Sequence, residues 1–184
     1  MSKFLNVANV LTIFRLALIP VFVFVFLFIE EKDHYISLTI FLIASFTDVL
    51  DGIIARRTNT ITNYGIVMDP LADKLLKIAT LICFTLVDVV PLWLTFLLVF
   101  IDVSMIIIGI CLYSKQITIP SNFVGKTGTV VMSVGFIMCF FDGIFNGWDL
   151  IVLYAGLLII VLSIIIYGIL NFSRVKAVFV KKNK

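Results

Sequence analysis

The chain is poor in the residues that most often carry soluble chemistry. It has one histidine, His34, and three cysteines, Cys83, Cys111 and Cys139, in 184 residues. Each cysteine stands alone in an apolar run, with no CxxC and no His/Cys grouping. That spacing excludes a zinc module and reads as packed or lipid-facing thiols. His34 lies in the charged connection EEKDH and reads as a solvated loop residue. Charge is scarce as well: Asp, Glu, Lys and Arg together make up 14% of the chain, against roughly a quarter in an ordinary soluble domain.

What fills the space is apolar. The chain is 62% hydrophobic, with a mean hydropathy of +1.21, which excludes an ordinary soluble domain and points to a polytopic membrane protein. Its length accommodates about six spans at roughly 20 residues each, with little left over. The expectation is an all-α integral membrane protein, a single membrane domain over residues 1–184. Apolar runs predict helices near 7–29, 35–56, 65–88, 91–113, 127–143 and 150–171. The N-terminal run lacks a small-residue cleavage site and reads as an amphipathic lead-in to a retained first span.

The cations predict the topology. With the N-terminus inside, thirteen of the fourteen Lys and Arg residues fall on the cytoplasmic half, and only Lys32 falls outside. The outer connections carry Glu30, Glu31, Asp33, Asp88, Asp142 and Asp149 instead. Both termini are expected in the cytoplasm of a multi-pass cell-membrane protein. The net charge of +3 then suits anionic lipid head groups and not nucleic acid.

Four carboxylates break the apolar pattern in one stretch, TDVLDGIIARRTNTITNYGIVMDPLADK, over residues 47–74. Acids at bilayer depth are expensive and mark a functional site by default. Asp48 and Asp51 are three apart, and Asp69 and Asp73 four apart, so each pair shares a helical face. Counting ~1.5 Å per residue in an antiparallel hairpin, Asp51 comes level with Asp69 and Asp48 with Asp73. Four facing carboxylates require a cation between them. Their oxygens suit a hard divalent ion, and Mg²⁺ or Mn²⁺, as one or two ions, bridges carboxylates to phosphate oxygens. Gly52 and Ala55 leave a shallow groove beside the acids, and Arg56 is one turn on, placed to grip phosphate. Pro70 falls close to the expected start of the third helix, where its missing N–H costs little.

Ahead of this stretch, Asn9, Thr12 and Arg15 recur at helical spacings of three. Such a polar stripe fits either an interfacial helix lying along the membrane or a helix that turns its polar face into a cavity.

The pattern Asp48-x₂-Asp51-Gly52-x₂-Ala55-Arg56-x₈-Gly65-x₃-Asp69-x₃-Asp73 resembles the full motif of the CDP-alcohol phosphatidyltransferases, and the six-helix layout resembles that family over essentially the whole chain. The resemblance implies six transmembrane helices around a polar cavity open to the cytoplasm, usually in a homodimer. It implies that Asp48, Asp51 and Asp69 bind the metals, with Asp73 as a further ligand and the general base. It also implies that Gly52, Ala55 and Arg56 hold the CDP part of CDP-diacylglycerol, with Thr62, Asn9 and Thr12 near the cytidine and diphosphate. Transfer to an alcohol would release CMP.

For the acceptor, NVANVLTIFRLALIP and DPLADKLL look most like the bacterial phosphatidylglycerophosphate synthase branch, which uses glycerol 3-phosphate. Lys126 resembles the first lysine of that branch's GK-x-KT segment. The second basic position is Gly128, and the branch's Arg–Glu pair in helix four reads Ile101–Asp102. Arg15 and Arg174 are further candidates for an acceptor phosphate, or else anchors of topology. Asp102 reads as a partner of Lys126 or Arg15, as a ligand of the acceptor hydroxyl, or as a structural interhelical bond. An Asp here followed by GK-x-x-T is also similar to the cardiolipin synthases, whose acceptor is phosphatidylglycerol. A divalent-cation transporter or a catalytically inactive membrane protein stands as the alternative of another class.

Overall fold

A backbone in lipid must satisfy its own hydrogen bonds, which a helix does within one segment. The computed structural model obeys this: among the described residues every regular element is helical and none is a strand. It describes residues 7–30, 34–57, 63–114, 123–141 and 143–180, and within these the side chains at 7–9, 48–49, 51–57, 63–67, 69–70, 112–114, 167 and 170–180 lie outside the description. Helix α1 is Val7–Phe24 and runs on through a π-helical turn, Val25–Ile29. Helix α2 is Tyr35–Arg57, α3 Asn63–Leu86 and α4 Leu92–Ser114. Helix α5 is Phe123–Cys139 and α6 Trp148–Val180. The chain divides into two compact units, Met1–Thr118 with Phe140–Asp142, and Ile119–Cys139 with Gly143–Lys184.

In the first unit α1 packs on α2 and α3, and α4 packs on α3. Buried phenylalanines form its centre. The rings of Phe84 and Phe140 meet edge to face at 4.9 Å, with Phe41 at 5.5 Å, Phe22 at 6.1 Å and Phe26 at 6.3 Å from Phe140. His34 joins this cluster. It is only 5% exposed and stacks on Phe26 at 3.9 Å, so it is not the solvated loop residue its charged neighbours suggest. A flat ring of intermediate polarity can fill an aromatic core, and sequence neighbours do not report that.

Glu30 ends the π-helical turn and caps α2. Its carboxylate accepts the backbone N–H groups of Ile36 at 2.6 Å and Ser37 at 3.0 Å, and the Ser37 hydroxyl. These are orphan donors at a helix N-terminus, where a negative group is also favoured by the helix dipole. Replacing Glu30 by alanine is expected to cost about 0.5–2 kcal/mol of stability, the usual loss for a helix cap. A lower unfolding temperature of the purified protein checks it.

In the second unit α5 and α6 pack as a close pair. The approach is set by glycines. A Cβ on Gly135 would stand 2.7 Å from Leu153 Cδ2 and 3.2 Å from the Leu153 amide nitrogen; one on Gly156 would meet the Met132 backbone at 3.0 Å. Small residues that let two backbones touch are the usual means of helix association where lipid removes the hydrophobic driving force.

The outer surface is apolar. Phe28, Phe96, Phe100 and Phe123 are each two-thirds or more exposed, a display suited to lipid and not to water. Among the described residues three helices carry stretches long and apolar enough to cross a membrane, Val10–Ile29, Leu92–Cys111 and Trp148–Ile166. Tyr35–Thr47 and Phe123–Cys139 are shorter apolar helices. In α2 the sequence is apolar up to Thr47, and Asp48 and Asp51 of the motif follow. The chain is a helical membrane protein.

Helix positions agree with the apolar runs to within a few residues, with two exceptions. Helix α5 starts and ends four residues earlier than its run, because Phe140 leaves the helix for the aromatic centre and the chain then turns through Gly143, Asn146 and Gly147, all at positive φ. Helix α6 continues to Val180, nine residues beyond its apolar run, since Asn171–Val180 contains no glycine or proline to stop it. Pro70 also differs. With α3 starting at Asn63, it is the eighth helical residue, well inside the helix, where it removes the bond the Ile66 carbonyl would take.

Candidate active site on the second and third helices

The motif residues are helical where the backbone is described. Asp48, Asp51, Gly52, Ala55 and Arg56 lie on α2, and Asp69 and Asp73 on α3, two helices in contact. The three- and four-residue spacings therefore act as helical spacings. The side chains of Asp48, Asp51, Asp69, Ala55 and Arg56 lie outside the described residues, as do all of Thr62 and the side chains of Asn9 and Arg174. The facing arrangement of the four acids therefore rests on their sequence positions.

Asp73 is described fully. It is partly exposed, and Lys77, one turn on, donates from Nζ to Asp73 Oδ2 at 2.8 Å. The next residue, Lys74, points to another helix and forms an ion pair with Asp102 of α4, both side chains about four-fifths buried. Of the readings open for Asp102, this is the interhelical bond, made to Lys74 among the described residues and not to Lys126 or Arg15. Lys74 and Lys77 are the residues that sequence reasoning passed over. It counted them only as cations on the cytoplasmic half, although their positions one and four after Asp73 put them beside the site.

On α1 the polar stripe faces inward. Thr12 is 2% exposed and Arg15 0%, whereas Val10, Ile13 and Phe14 are about half exposed. This decides between the two readings of the stripe for Thr12 and Arg15: apolar residues meet the surroundings and polar ones the protein. A guanidinium is fully buried only among acceptors, and α1 packs on the two helices that carry the aspartates.

Lys126 and Gly128 belong to the other unit. Lys126 is exposed, and Gly128 is buried against α6. A Cβ on Gly128 would lie 2.9 Å from Ile160 Cγ1 and 3.2 Å from the Ile160 amide nitrogen. The missing second lysine therefore has a structural counterpart, since this position is taken by helix packing.

One motif carboxylate that could take part in holding a metal lies within the described residues. Among the described residues no three His, Cys, Asp or Glu side chains gather. The one motif carboxylate that is described, Asp73, offers oxygen donors and already holds a cation in the form of the Lys77 ammonium. Carboxylate oxygens are the donors a hard divalent ion prefers.

Fold and site together define a helical membrane protein with an aspartate-rich polar hairpin. The family model for CDP-alcohol phosphatidyltransferases matches residues 5–167. The chain belongs to that family, and so to the membrane transferases of phospholipid synthesis. It is 34% identical over 136 residues to the CDP-diacylglycerol–glycerol-3-phosphate 3-phosphatidyltransferase of Bacillus subtilis, covering 67% of this chain and 70% of that one. To the protein of the same name from Aquifex aeolicus it is 34% identical over 148 residues, 79% of each chain. A cardiolipin synthase (CMP-forming) of Streptomyces coelicolor is 32% identical over 153 residues, 80% of this chain and 70% of that one.

Proposed function

We propose that the protein transfers the phosphatidyl group of CDP-diacylglycerol to glycerol 3-phosphate, giving phosphatidylglycerophosphate and CMP. The observation that carries this reading is the eight-position motif on α2 and α3, in a chain that matches two relatives bearing that activity in their names. In this reading both units form one catalytic domain, which a family match running through both supports. Six spans surround a cavity open to the cytoplasm, both termini are cytoplasmic, as the cation count supports, and the protein works as a homodimer.

Asp48, Asp51, Asp69 and Asp73 would hold Mg²⁺ or Mn²⁺, as two ions. When bound, such ions neutralise the diphosphate as charge develops on the leaving CMP. The chain's own residues do the rest. Gly52 and Ala55 let the donor approach the α2 backbone, and Arg56 grips its phosphate oxygens. Asn9, Thr12 and Thr62 lie toward the cytidine and diphosphate. Asp73 accepts the proton of the acceptor hydroxyl as its oxygen attacks phosphorus. The buried Arg15 supplies positive charge from α1, with Lys126 and Arg174 as cations for an acceptor phosphate.

A second reading has specific support. Ile101 and Gly128 replace two basic positions of the glycerol 3-phosphate branch, and Gly128 is locked into helix packing. That favours a less charged acceptor, phosphatidylglycerol, and with it a cardiolipin synthase.

One experiment separates them. The purified protein in lipid micelles receives CDP-diacylglycerol with glycerol 3-phosphate, phosphatidylglycerol, inositol phosphate, serine or no acceptor, and CMP release is followed. Release with glycerol 3-phosphate and Mg²⁺ or Mn²⁺ is the expected result. Release with phosphatidylglycerol alone selects the second reading, and full activity after chelation removes the metals from the scheme. No release with any acceptor leaves the inactive or transporter class.

A further inference from the structure

The Lys74–Asp102 ion pair joins two charges that have no partner by helical spacing within their own helices. Positions three and four from Lys74 are Pro70, Leu71, Lys77 and Ile78; those from Asp102 are Leu98, Val99, Met105 and Ile106. None is an opposite charge. Each is about four-fifths buried, in helices whose surroundings are apolar, where an uncompensated charge is costly. Few packings of α3 on α4 can satisfy both.

Apolar contact alone does not choose among the packings. Helix α4 is Leu-, Ile- and Phe-rich nearly all round, and between such helices in lipid one rotation packs about as well as another. Polar bonds choose. Two are present among the described residues, eleven positions apart on α3. Thr85 of α3 and Thr95 of α4 share a hydroxyl–hydroxyl bond at 2.5 Å near the connecting turn. Lys74 and Asp102 form the second. Residues 74 and 85 are eleven apart, three turns of α-helix to within about 20°, so both bonds leave α3 on one face. Together they fix its rotation and register.

Asp73 is adjacent to Lys74 and inherits that rotation. A slip of one residue would turn it by about 100°, and with it the carboxylate that the proposed function places at the reacting centre. Lys74 is also kept occupied. Its ammonium is held by α4, so among the described residues the Asp73 carboxylate is met by Lys77.

We propose that Asp102 and Lys74 are positioning residues for phosphatidyl transfer, an interhelical clamp that fixes α3 so that Asp73 is presented to the reacting centre. This rests on the role given to Asp73 under the proposed function. It assigns Asp102 neither to the acceptor nor to Lys126.

The test uses the full chain with two readouts. The first is kcat and KM for CDP-diacylglycerol in Asp102→Asn, Asp102→Glu and the doubly neutral Lys74→Met/Asp102→Leu, which leaves no lone charge if the single variant fails to fold. The second needs no substrate: oxidative cross-linking of Thr85→Cys with Thr95→Cys, with Cys83, Cys111 and Cys139 replaced by alanine. A misplacement of about 1 Å costs up to ~100-fold, so kcat per folded protein should fall about 10–100-fold in Asp102→Asn and in the double variant. KM should stay within about twofold, because the loss is confined to the transition state. Asp102→Glu should recover most of kcat, and cross-linking should slow in Asp102→Asn. Unchanged kcat in both charge-removing variants overturns the proposal, as does a cross-linking rate indifferent to Asp102→Asn. Failure of the functional reading shows separately, as no CMP release from the unaltered protein, and the cross-linking result then still decides whether the clamp exists.

Discussion

Asp73→Asn is expected to lower kcat for CMP release by about 10²–10⁴-fold, the usual contribution of a positioned general base. The amide keeps the size and one oxygen of the carboxylate but cannot take up the acceptor's proton at neutral pH. It also loses the charge that holds Lys77 at 2.8 Å. Measured at saturating Mn²⁺, KM for CDP-diacylglycerol should move far less than kcat, because Gly52, Ala55 and Arg56 are unaltered. A larger rise in KM than fall in kcat would make Asp73 a donor-binding group. Undiminished turnover would remove it from the chemistry altogether.

Gly128→Lys is the second large effect, and its direction runs against sequence logic. Writing the branch's second lysine into this chain should not strengthen glycerol 3-phosphate turnover. It should cost folded protein. The first carbon of the new side chain would already lie 2.9 Å from Ile160 Cγ1 and 3.2 Å from a backbone nitrogen that cannot move without α6. Overpacking of a tight contact costs about 1–3 kcal/mol, occasionally more, and the lysine adds a charge to a helix seam that offers it no acid. Recovery of monodisperse protein and its unfolding temperature report the loss. A stable Gly128→Lys protein with a lowered KM for glycerol 3-phosphate would show that α5 can rotate to present the position.

The motif was readable from the chain because it depends on residue identity and local spacing. Four aspartates at intervals of three and four, a glycine and an alanine beside them, and an arginine one turn later need only a helix to become a polar face, and α2 and α3 supply it. The helices themselves were readable for a related reason: lipid leaves a backbone little choice, so each long apolar run became one. Their ends were less so. Phe140 is as apolar as the helix before it, yet it serves the aromatic centre of the first unit, and nothing in its neighbours announces that.

Sequence by itself determined the family, the donor-type motif and the membrane character, all of which follow from composition and short-range order. Only the tertiary structure decided where the lone charges go and which way the ambiguous stripe faces. His34 is stacked and buried, Thr12 and Arg15 turn inward, Gly128 is closed by α6, and Asp102 belongs to Lys74. The reason is physical. Between apolar helices in lipid, contact is nearly indifferent to rotation, so a handful of polar and close-packed positions set the arrangement, and their partners are distant in sequence.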